Sequence, residues 1–403
     1  MPRARHREIP PTAGLPLRWR DLLPGPGDLA GRIARQLGTP ALQLECSGTA
    51  ALTVALHTLR RAEPHRTTVV VPAYTCPLVA IAVHRLGLQL RLCDLRAGHY
   101  DMDPDCLREA CREDTLAVVP THLAGRVANV GAALDAAHRV GAHVIEDAAQ
   151  ALGARDRGES VGLRGDLGFF SLAAGKGLSI YEGGLLLARD ASLRERLRRD
   201  SAACVPRRFD WELRRSLELL GLAALYRPAG LGLAYGRPLR RALRRGDPVG
   251  AVGDAFAPTI PLHRVGRWRR AVGAHAAVRL PAFLAALAEQ AGRRIQRLRR
   301  IERLHVYDDP PQAQGTWPFL LLRLPDQRSR DAALERLWTS GLGVSRLFIH
   351  ALPDYAYLAD RVPQAPMPNA RDFAARTLTV SNSPWLGDED FETICRTLER
   401  VLG

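Results

Sequence analysis

The amino-acid sequence predicts an α/β protein. We expect a large domain over residues 1–250, with a mixed, mostly parallel sheet flanked by helices, and a smaller C-terminal α+β domain over residues 251–403. Two observations lead to this prediction. Residues 41–150 alternate short apolar runs with helix-like segments, which is typical of a parallel sheet with helices on both faces. Residues 317–403 mix strands and helices in a less regular order.

Each element of the first half is predicted from its apolar residues. The apolar runs predict strands at 41–45, 67–72, 88–95, 115–120 and 143–147. The segments between them predict helices near 48–61, 76–86, 104–112 and 129–140. Because ligands of such sheets bind beyond the carboxyl ends of the strands, we expect the functional residues at those ends.

The second half contains longer and less regular segments. Two strands are predicted within residues 166–188, around a glycine-rich loop. Residues 200–262 form an apolar stretch flanked by arginines, which we interpret as an insertion or connector in the large domain. An Arg-rich helix is predicted from about 267 to 304.

Composition excludes several classes of protein. The net charge of +15 predicts attraction to anions, although the charge alone does not choose among phosphorylated small molecules, nucleic acid and a membrane surface. We expect a small-molecule partner rather than nucleic acid. The seven cysteines are scattered without a C-x-x-C motif, which argues against a disulfide framework or a metal centre and predicts a cytoplasmic protein. No secretory signal and no uncharged apolar stretch of 18 residues is recognisable.

The chain has one lysine, Lys176, among its 57 basic residues. Arginine can replace lysine on a solvated surface, but a guanidinium with a pKa of ~13.8 cannot act as a neutral amine. An amine on a flexible stem can lose its proton and attack a carbonyl carbon. Lys176 is therefore a candidate nucleophile, with chance survival of one lysine as the alternative.

Two further motifs lie at predicted strand ends. The Ser47–Ala50 segment (SGTA) follows a strand and opens a helix, where free N–H groups and the helix dipole bind phosphate; a simple capped helix is the alternative. Glu146 and Asp147 end a buried strand just before Gln150. Adjacent buried carboxylates need cationic or hydrogen-bonding partners, although they could also cap the next helix.

The last motifs surround the lysine. Ser171 precedes Lys176 by five residues, so that its hydroxyl could hold a phosphate while the amine reaches the other end of one ligand. The segment 181–184 (YEGG) permits a tight return into a strand. Pyridoxal phosphate needs all of these parts, because it has an aldehyde for a lysine, a ring nitrogen for a carboxylate and a phosphate for a helix start.

The stretches that carry these motifs resemble the DegT-type sugar aminotransferases, which are fold-type-I pyridoxal-phosphate enzymes of the aspartate aminotransferase superfamily. The resemblance covers residues 40–190, and more weakly 265–400. It implies a fold-type-I transferase fold and homodimers with active sites at the subunit interface. The matching stretches are 46–56, 70–83, 121–125, 145–154 and 166–184.

The resemblance also implies roles for individual residues. Lys176 would form the Schiff base with pyridoxal phosphate, and Asp147 would pair with the ring nitrogen. Gln150 would contact the ring hydroxyl. His122 falls in a stretch that lies near the active site in the family, either as a catalytic residue in contact with substrate or as a structural histidine.

The phosphate of the cofactor would be held at the start of the first long helix. The resemblance assigns this contact to Ser171 together with Gly48, Thr49 and Ala50.

The sequence departs from the family pattern at three places, and these departures weaken the prediction of the substrate more than the prediction of the cofactor. Cys76 occupies the position of an aromatic residue that stacks on the cofactor; Tyr74 is a candidate to compensate for it, and looser binding of the cofactor is the alternative. The usual Asn-Tyr-Arg segment is not recognisable, and residues 263–270 stand in its place. Residues 200–262 are longer and more apolar than the common pattern.

We therefore predict a pyridoxal-phosphate aminotransferase. It would move an amino group, by family analogy from glutamate, to a nucleotide-linked keto-sugar in polysaccharide or secondary metabolite biosynthesis. The presence of Lys176 favours amino transfer over the dehydration that some relatives perform. One alternative is a pyridoxal-phosphate enzyme for a non-sugar ketone or amino acid, and another is a non-catalytic basic binding protein. Membrane contact through 207–245 is a further interpretation, which we rank below an interface helix pair or an active-site lid.

Overall fold

Seven strands form the central sheet of the protein, whose computed structural model describes residues 7–403. The strands of the chain are β1 Gln43–Glu45, β2 Thr68–Pro72, β3 Gln89–Cys93, β4 Thr115–Val118, β5 His143–Asp147, β6 Arg155–Asp156, β7 Glu159–Ser160, β8 Leu167–Ser171, β9 Gly184–Ala188, β10 His305–Val306, β11 Ala313–Gln314, β12 Phe319–Arg323, β13 Val344–Ser345 and β14 Thr377–Ser381.

The central sheet has the strand order β1-β9-β8-β5-β4-β2-β3. Strands β3, β2, β4, β5 and β8 pair in parallel, whereas β9 is antiparallel to both β8 and β1. The predicted mixed, mostly parallel sheet is thus confirmed. Since β1, β4, β5 and β8 point the same way, the loops that follow them meet at one edge of the sheet.

Helices cover the sheet and connect its strands. They are α1 Leu29–Leu37, α2 Gly48–Ala62, α3 Pro77–Arg85, α4 Pro104–Ala110, α5 Val130–His138, α6 Ala191–Cys204, α7 Phe209–Leu225, α8 Pro228–Leu231, α9 Arg237–Arg244, α10 Pro248–Val252, α11 Arg267–Ala277, α12 Leu280–Leu298, α13 Gln327–Leu337, α14 Pro368–Arg376 and α15 Asp388–Leu402. Short 3-10 turns occur at Trp19–Leu22, Leu123–Gly125, Leu352–Asp354 and Ala356–Leu358, and a π turn at Gly232–Gly236.

Alternation along the strands explains why both faces of the sheet are covered. Phe169 packs into the core on one face and Phe170 into the core on the other, because successive side chains of a strand point in opposite directions. Leu186 and Leu187 on β9 alternate in the same way. All residues of β8 and β9 are buried, and all but Ser171 are apolar, which is the pattern of strands between two helical layers.

A second, antiparallel sheet has the order β10-β12-β14-β13, and a third joins β11, β6 and β7. The core of the second sheet gathers side chains from α12, α13 and α15. By contrast, Val265, Val272 and Leu280 pack into the core of the central sheet. The predicted division between residues 250 and 251 stays a prediction.

The helix predicted from 267 to 304 is in fact two helices, α11 and α12, bent by 52°. Pro281 lies in the first turn of α12. Its ring carries no N–H and cannot continue the preceding helix, so that the chain bends before it. Within residues 7–403, no single helix is long and apolar enough to span a membrane. Two bent pairs of helices, α7 with α8–α9 and α11 with α12, reach the necessary length and hydropathy only when the members of each pair are taken together.

The segment at 7–17, which we call the N-terminal strap, crosses several parts of the fold. The N–H of Ile9 donates to the carbonyl of Gly341, and the N–H of Leu15 donates to the carbonyl of Gly177 in the lysine loop. The Tyr226 hydroxyl at the end of α7 donates to the carbonyl of Thr12. The strap thereby connects the second sheet, the inserted helices and the loop that carries Lys176.

Candidate active site

A cavity of about 400 Å³ lies beyond the carboxyl ends of the central strands. The structure brings seven of the residues predicted from the sequence together on its wall. They are Gly48, Thr49, Cys76, Asp147, Gln150, Ser171 and Lys176.

The start of α2 presents unpaired N–H groups to this cavity. The Ser47 hydroxyl accepts the N–H of Ala50 at 2.9 Å, and the Ser47 carbonyl accepts the N–H of Ala51 at 3.0 Å. The N–H groups of Gly48 and Thr49 have no partner within residues 7–403. In this geometry the cap occupies the N–H of Ala50, and the predicted phosphate contact of Ala50 stays a prediction.

Ser171 lies beside this helix start because of strand register. It ends β8, where it pairs with Gly184 of β9. A Cβ atom at Gly48 would lie 3.1 Å from the Cβ of Ser171, so that glycine allows the close approach. The Ser171 hydroxyl accepts the N–H of Ala173 at 3.3 Å and has no acceptor for its own proton within the described chain. A hydroxyl and two N–H groups at a helix N-terminus form an anion site.

Asp147 ends β5 and is 3% exposed. Its Oδ1 accepts the N–H of Ala149 at 3.0 Å, whereas Oδ2 has no partner in the part of the chain that is described. Burial raises the pKa of this carboxyl, and the Ala149 N–H and the charge of Lys176 oppose that rise. A buried carboxylate with one open oxygen is ready to receive a cationic N–H donor.

Gln150 lies one turn further along the chain. Its Oε1 accepts the N–H of Ala124 at 2.7 Å. Ala124 adopts the left-handed region with a φ of 58° in the turn after β4. Because the amide oxygen is occupied, the NH₂ group is free to donate into the cavity.

Lys176 lies in the loop between β8 and β9. The backbone N–H of Lys176 donates to the carbonyl of Ala173 at 3.1 Å. The preceding residue, Gly175, has a φ of 80°, a conformation that favours glycine. Burial lowers the pKa of the Lys176 amine, whereas electrostatic interactions with Cys76 and Asp147 oppose that shift. A lowered pKa increases the neutral, nucleophilic fraction of the amine near neutral pH.

Cys76 lies at the N-cap of α3 and lines the same cavity. Burial raises the pKa of its thiol to about 12. The thiol is therefore neutral and offers a small polarizable surface at the position where the family resemblance implies an aromatic ring.

Tyr74 does not line the cavity, which corrects its predicted contact with the cofactor. Its ring is 1% exposed and packs edge-on against Phe348 and Phe373. Its hydroxyl donates to the carbonyl of Phe348 at 3.0 Å and accepts the N–H of the same residue at 3.1 Å. Tyr74 thus supports the Phe348 loop from inside the core.

His122 also lies outside the cavity lining. Its Nδ1 accepts the N–H of Ala128 at 3.0 Å, so that Nε2 carries the proton and donates to Glu146 at 2.8 Å. Burial alone would raise the pKa of Glu146, but His122 and the N–H groups of Gly162 and Gly165 lower it. Both ring nitrogens are occupied, and this geometry favours a positioning role; the catalytic role stays a prediction.

Sequence reasoning missed cavity residues that come from distant segments. The N-terminal strap contributes Thr12, the inserted segment contributes Tyr235 and Asp254, and the loop after β13 contributes Arg346 and Phe348. No local motif marks these positions. The unusual length of the 200–262 segment was the only feature of the sequence that indicated a contribution of this segment to the site.

Comparison with known proteins relates this arrangement to one family. The sequence profile of the DegT/DnrJ/EryC1/StrS aminotransferase family matches residues 29–217 and 264–399. Residues 218–263 fall outside that match. They include the whole helical segment from α8 to α10 and five of the cavity residues, among them Tyr235 and Asp254.

Three characterised proteins share part of this sequence. Protein MosB of Rhizobium meliloti is 38% identical over 152 residues, which are 38% of this chain and 30% of MosB. The dTDP-3-amino-3,4,6-trideoxy-alpha-D-glucose transaminase of Streptomyces venezuelae is 37% identical over 32% of this chain and 35% of its own. The UDP-N-acetyl-3-dehydro-alpha-D-glucosamine 3-aminotransferase of Acidithiobacillus ferrooxidans is 36% identical over 38% of this chain and 41% of its own. The matches thus span about a third of these relatives.

Solved structures match nearly the whole chain at lower identity. PseC of Helicobacter pylori, an aminotransferase involved in pseudoaminic acid biosynthesis, has a TM-score of 0.75 at 14% identity and covers 98% of this chain and 99% of its own. The aminotransferase TlmJ of Streptoalloteichus hindustanus has a TM-score of 0.72 at 23% identity and covers 94% of this chain and 91% of its own. These similarities confirm the predicted fold class, the fold-type-I fold of pyridoxal-phosphate transferases.

Proposed function

Because this chain belongs to the DegT/DnrJ/EryC1/StrS aminotransferase family, we propose that it is a pyridoxal-phosphate-dependent aminotransferase with Lys176 as its nucleophile. One observation carries this proposal: Lys176, Asp147 and the anion site at Gly48 and Thr49 line a single cavity. Family enzymes that keep the lysine transfer amino groups, and the only lysine of this chain lies on the cavity wall.

The hydrogen-bond donors and acceptors that line the cavity without a partner match the groups of the cofactor. The N–H groups of Gly48 and Thr49 and the Ser171 hydroxyl are donors for a phosphate. The open Oδ2 of Asp147 is an acceptor for a protonated ring nitrogen. The free NH₂ group of Gln150 is a donor for the ring oxygen.

Pyridoxal phosphate, when bound, supplies an aldehyde for a lysine and a ring that accepts electrons from the substrate carbon. Lys176 would hold the aldehyde end and, once released, carry the proton between the substrate carbon and the cofactor carbon. Its lowered pKa suits both tasks, because a neutral amine attacks a carbonyl and accepts a proton. Asp147 would keep the ring nitrogen protonated by remaining an anion beside it.

The substrates follow from the relatives only by analogy. Two of the relatives described above are named for nucleotide-linked amino sugars or keto-sugars. We infer that this enzyme transfers an amino group from an amino acid, with glutamate as the expected donor, to a nucleotide-linked keto-sugar. The net charge of +15 is compatible with a diphosphate ligand.

One observation favours a second candidate, a non-sugar ketone as acceptor. Tyr235 and Asp254 belong to the 218–263 segment, which lies outside the family match, yet both line the cavity. A cavity wall from outside the family match would suit an acceptor that differs from the keto-sugars of the named relatives. We also propose a cytoplasmic homodimer with active sites at its interface, as the family resemblance implies; a shift of the native mass to twice 44.2 kDa would support the dimer.

The absorbance spectrum of the purified protein tests the proposed cofactor and its lysine. We expect a visible band that borohydride removes, with a covalent cofactor adduct on Lys176 in mass spectrometry. Lys176→Ala and Lys176→Arg should both lack the adduct, since arginine keeps the charge but offers no neutral amine. A colourless protein that takes up no added pyridoxal phosphate would refute the proposal. Assays of keto-sugar nucleotides against simple keto acids then separate the two acceptor classes.

A further inference from the structure

Arg346 is the second basic side chain on the cavity wall, besides Lys176. It follows β13 and comes from the second sheet, far in sequence from the motifs around Lys176. Its Nη2 donates to the carbonyls of Ile349 and Ala374, each at 2.7 Å. The guanidinium is therefore held from behind by two backbone oxygens.

Arg346 forms no ion pair within 4 Å in residues 7–403, and the charges of Asp331 and Asp254 act on it only from a longer distance. Its Nε is buried without an acceptor, and its Nη1 has no hydrogen-bond partner in the described chain. Two other buried arginines differ in this respect, because Arg126 pairs with Asp309 at 2.7 Å and Arg269 pairs with Glu212 at 2.6 Å. A partly desolvated cation without an ion pair is costly unless a ligand supplies the negative charge.

The nearest acid on the same wall does not fill this role. Asp254 lines the cavity, but its Oδ2 accepts the Ile349 N–H at 2.9 Å and the Tyr355 hydroxyl at 2.7 Å. It forms no ion pair with Arg346 within 4 Å. Nη1 of Arg346 is therefore free for a ligand in the cavity.

We propose that Arg346 binds the carboxylate of a substrate while that substrate reacts at Lys176. The inference rests on the proposed aminotransferase function. One unpaired cation matches the single charge of a carboxylate better than a diphosphate, for which several cations are usual. The phosphate site at the start of α2 is a separate group of donors, so that Arg346 is not needed to hold the cofactor.

The carboxylate has two chemical sources in such a reaction. An amino-acid donor always carries a carboxylate on the carbon that bears the amine, and an acidic ketone acceptor carries one as well. A donor carboxylate predicts that the amino-acid KM depends on Arg346. An acceptor carboxylate predicts that the acceptor KM does.

Binding and steady-state kinetics of Arg346→Gln and Arg346→Lys test the proposal. Calorimetric titration of the cofactor-loaded enzyme with 2-oxoglutarate, a keto acid that does not react with that form, should show affinity on the order of 10- to 100-fold weaker for Arg346→Gln. Arg346→Lys keeps the charge and should lose less. Arg371→Gln, which removes an arginine that pairs with Asp354 at 2.9 Å outside the cavity lining, is the control and should bind as the wild type does.

The kinetic arms decide the source of the carboxylate. A rise in KM for L-glutamate and L-alanine alone assigns the carboxylate to the donor, and a rise in KM for the acceptor alone assigns it to the acceptor. Wild-type-like binding and KM values in both Arg346 variants would overturn the proposal. A wild-type enzyme that transfers no amino group from any amino acid would instead remove the proposed function, so that the two failures are distinguishable.

Discussion

The Oε1 atom of Gln150 lies 2.7 Å from the backbone nitrogen of Ala124. An N–H group can only donate, so this contact fixes the orientation of the amide and directs its NH₂ group to the cavity. The left-handed conformation of Ala124 aims the N–H at Gln150. The loops that follow β4 and β5 thereby fix the orientation of one hydrogen-bond donor, the NH₂ group of Gln150.

Gln150→Glu should weaken cofactor binding. The new carboxylate still accepts the Ala124 N–H, but its second oxygen faces the cavity as an acceptor instead of a donor. We expect the dissociation constant for pyridoxal phosphate to rise by about 10-fold or more, as for the loss of one hydrogen bond to a charged group. Equilibrium dialysis measures this. Gln364→Glu, whose amide donates to the carbonyl of Pro353 away from the cavity, is the control.

Asp147→Asn should keep the cofactor and lose turnover. Asparagine retains an oxygen for the Ala149 N–H, so that the local fold stays intact, but it cannot hold a proton on the ring nitrogen. The expected decrease in kcat is roughly 100-fold or more, the size of the loss when a preorganised charge is removed. Single-turnover kinetics with equal cofactor occupancy measure it. Undiminished turnover would exclude the proposed pairing with the ring nitrogen.

Cofactor uptake should report the lowered pKa of Lys176. Burial disfavours the ammonium form, so the neutral amine is populated at a lower pH than in an exposed lysine. The uptake rate of cofactor-free protein should rise with pH through this lowered pKa and level off at a lower pH than the reaction of free Nα-acetyllysine does. Stopped-flow absorbance follows both reactions. Parallel profiles would contradict the predicted direction.

His122→Asn separates a positioning role from a catalytic one. The histidine side chain is buried and both of its nitrogens are bonded, so the substitution leaves the Ala128 N–H without a partner or removes one of the three hydrogen bonds that Glu146 accepts. We expect the free energy of unfolding to fall by about 1 to 3 kcal/mol. Chemical denaturation measures it, and kcat at full cofactor occupancy should change less than the stability. A large loss of kcat at unchanged stability would instead support catalysis by His122.

Tyr226→Phe should release the N-terminal strap. The Tyr226 hydroxyl accepts the Gly14 N–H at 2.9 Å and donates to the Thr12 carbonyl at 3.0 Å. Loss of both bonds should speed hydrogen exchange in residues 9–17 by about 10-fold, the equivalent of one or two hydrogen bonds. Mass spectrometry of exchanged peptides measures this. In Tyr307→Phe, which removes a bond to the carbonyl of Gly98, exchange in the strap should stay unchanged.

The neighbours Tyr74 and Cys76 show where sequence reasoning reaches its limit. They are two residues apart at the end of β2, and both were candidates for the face of the cofactor. Cys76 lines the cavity, whereas Tyr74 lies in the core with its hydroxyl on the Phe348 backbone. Residues two positions apart point to the same side only within a regular strand. Here the chain has left β2 and turns into α3 at Pro77, so that rule does not apply.

The sequence by itself determined the central sheet and most of the candidate site. Strand alternation and helix capping are local patterns, and the chemistry of the proposed cofactor requires residue types that arginine or apolar residues cannot replace, as at Lys176 and Asp147. Tertiary structure alone decided the rest. Arg346, Tyr235 and Thr12 reach the cavity from distant segments, because packing between the strap, the insertion and the second sheet brings them there. Such contacts depend on long-range packing, which no local pattern in one sequence encodes.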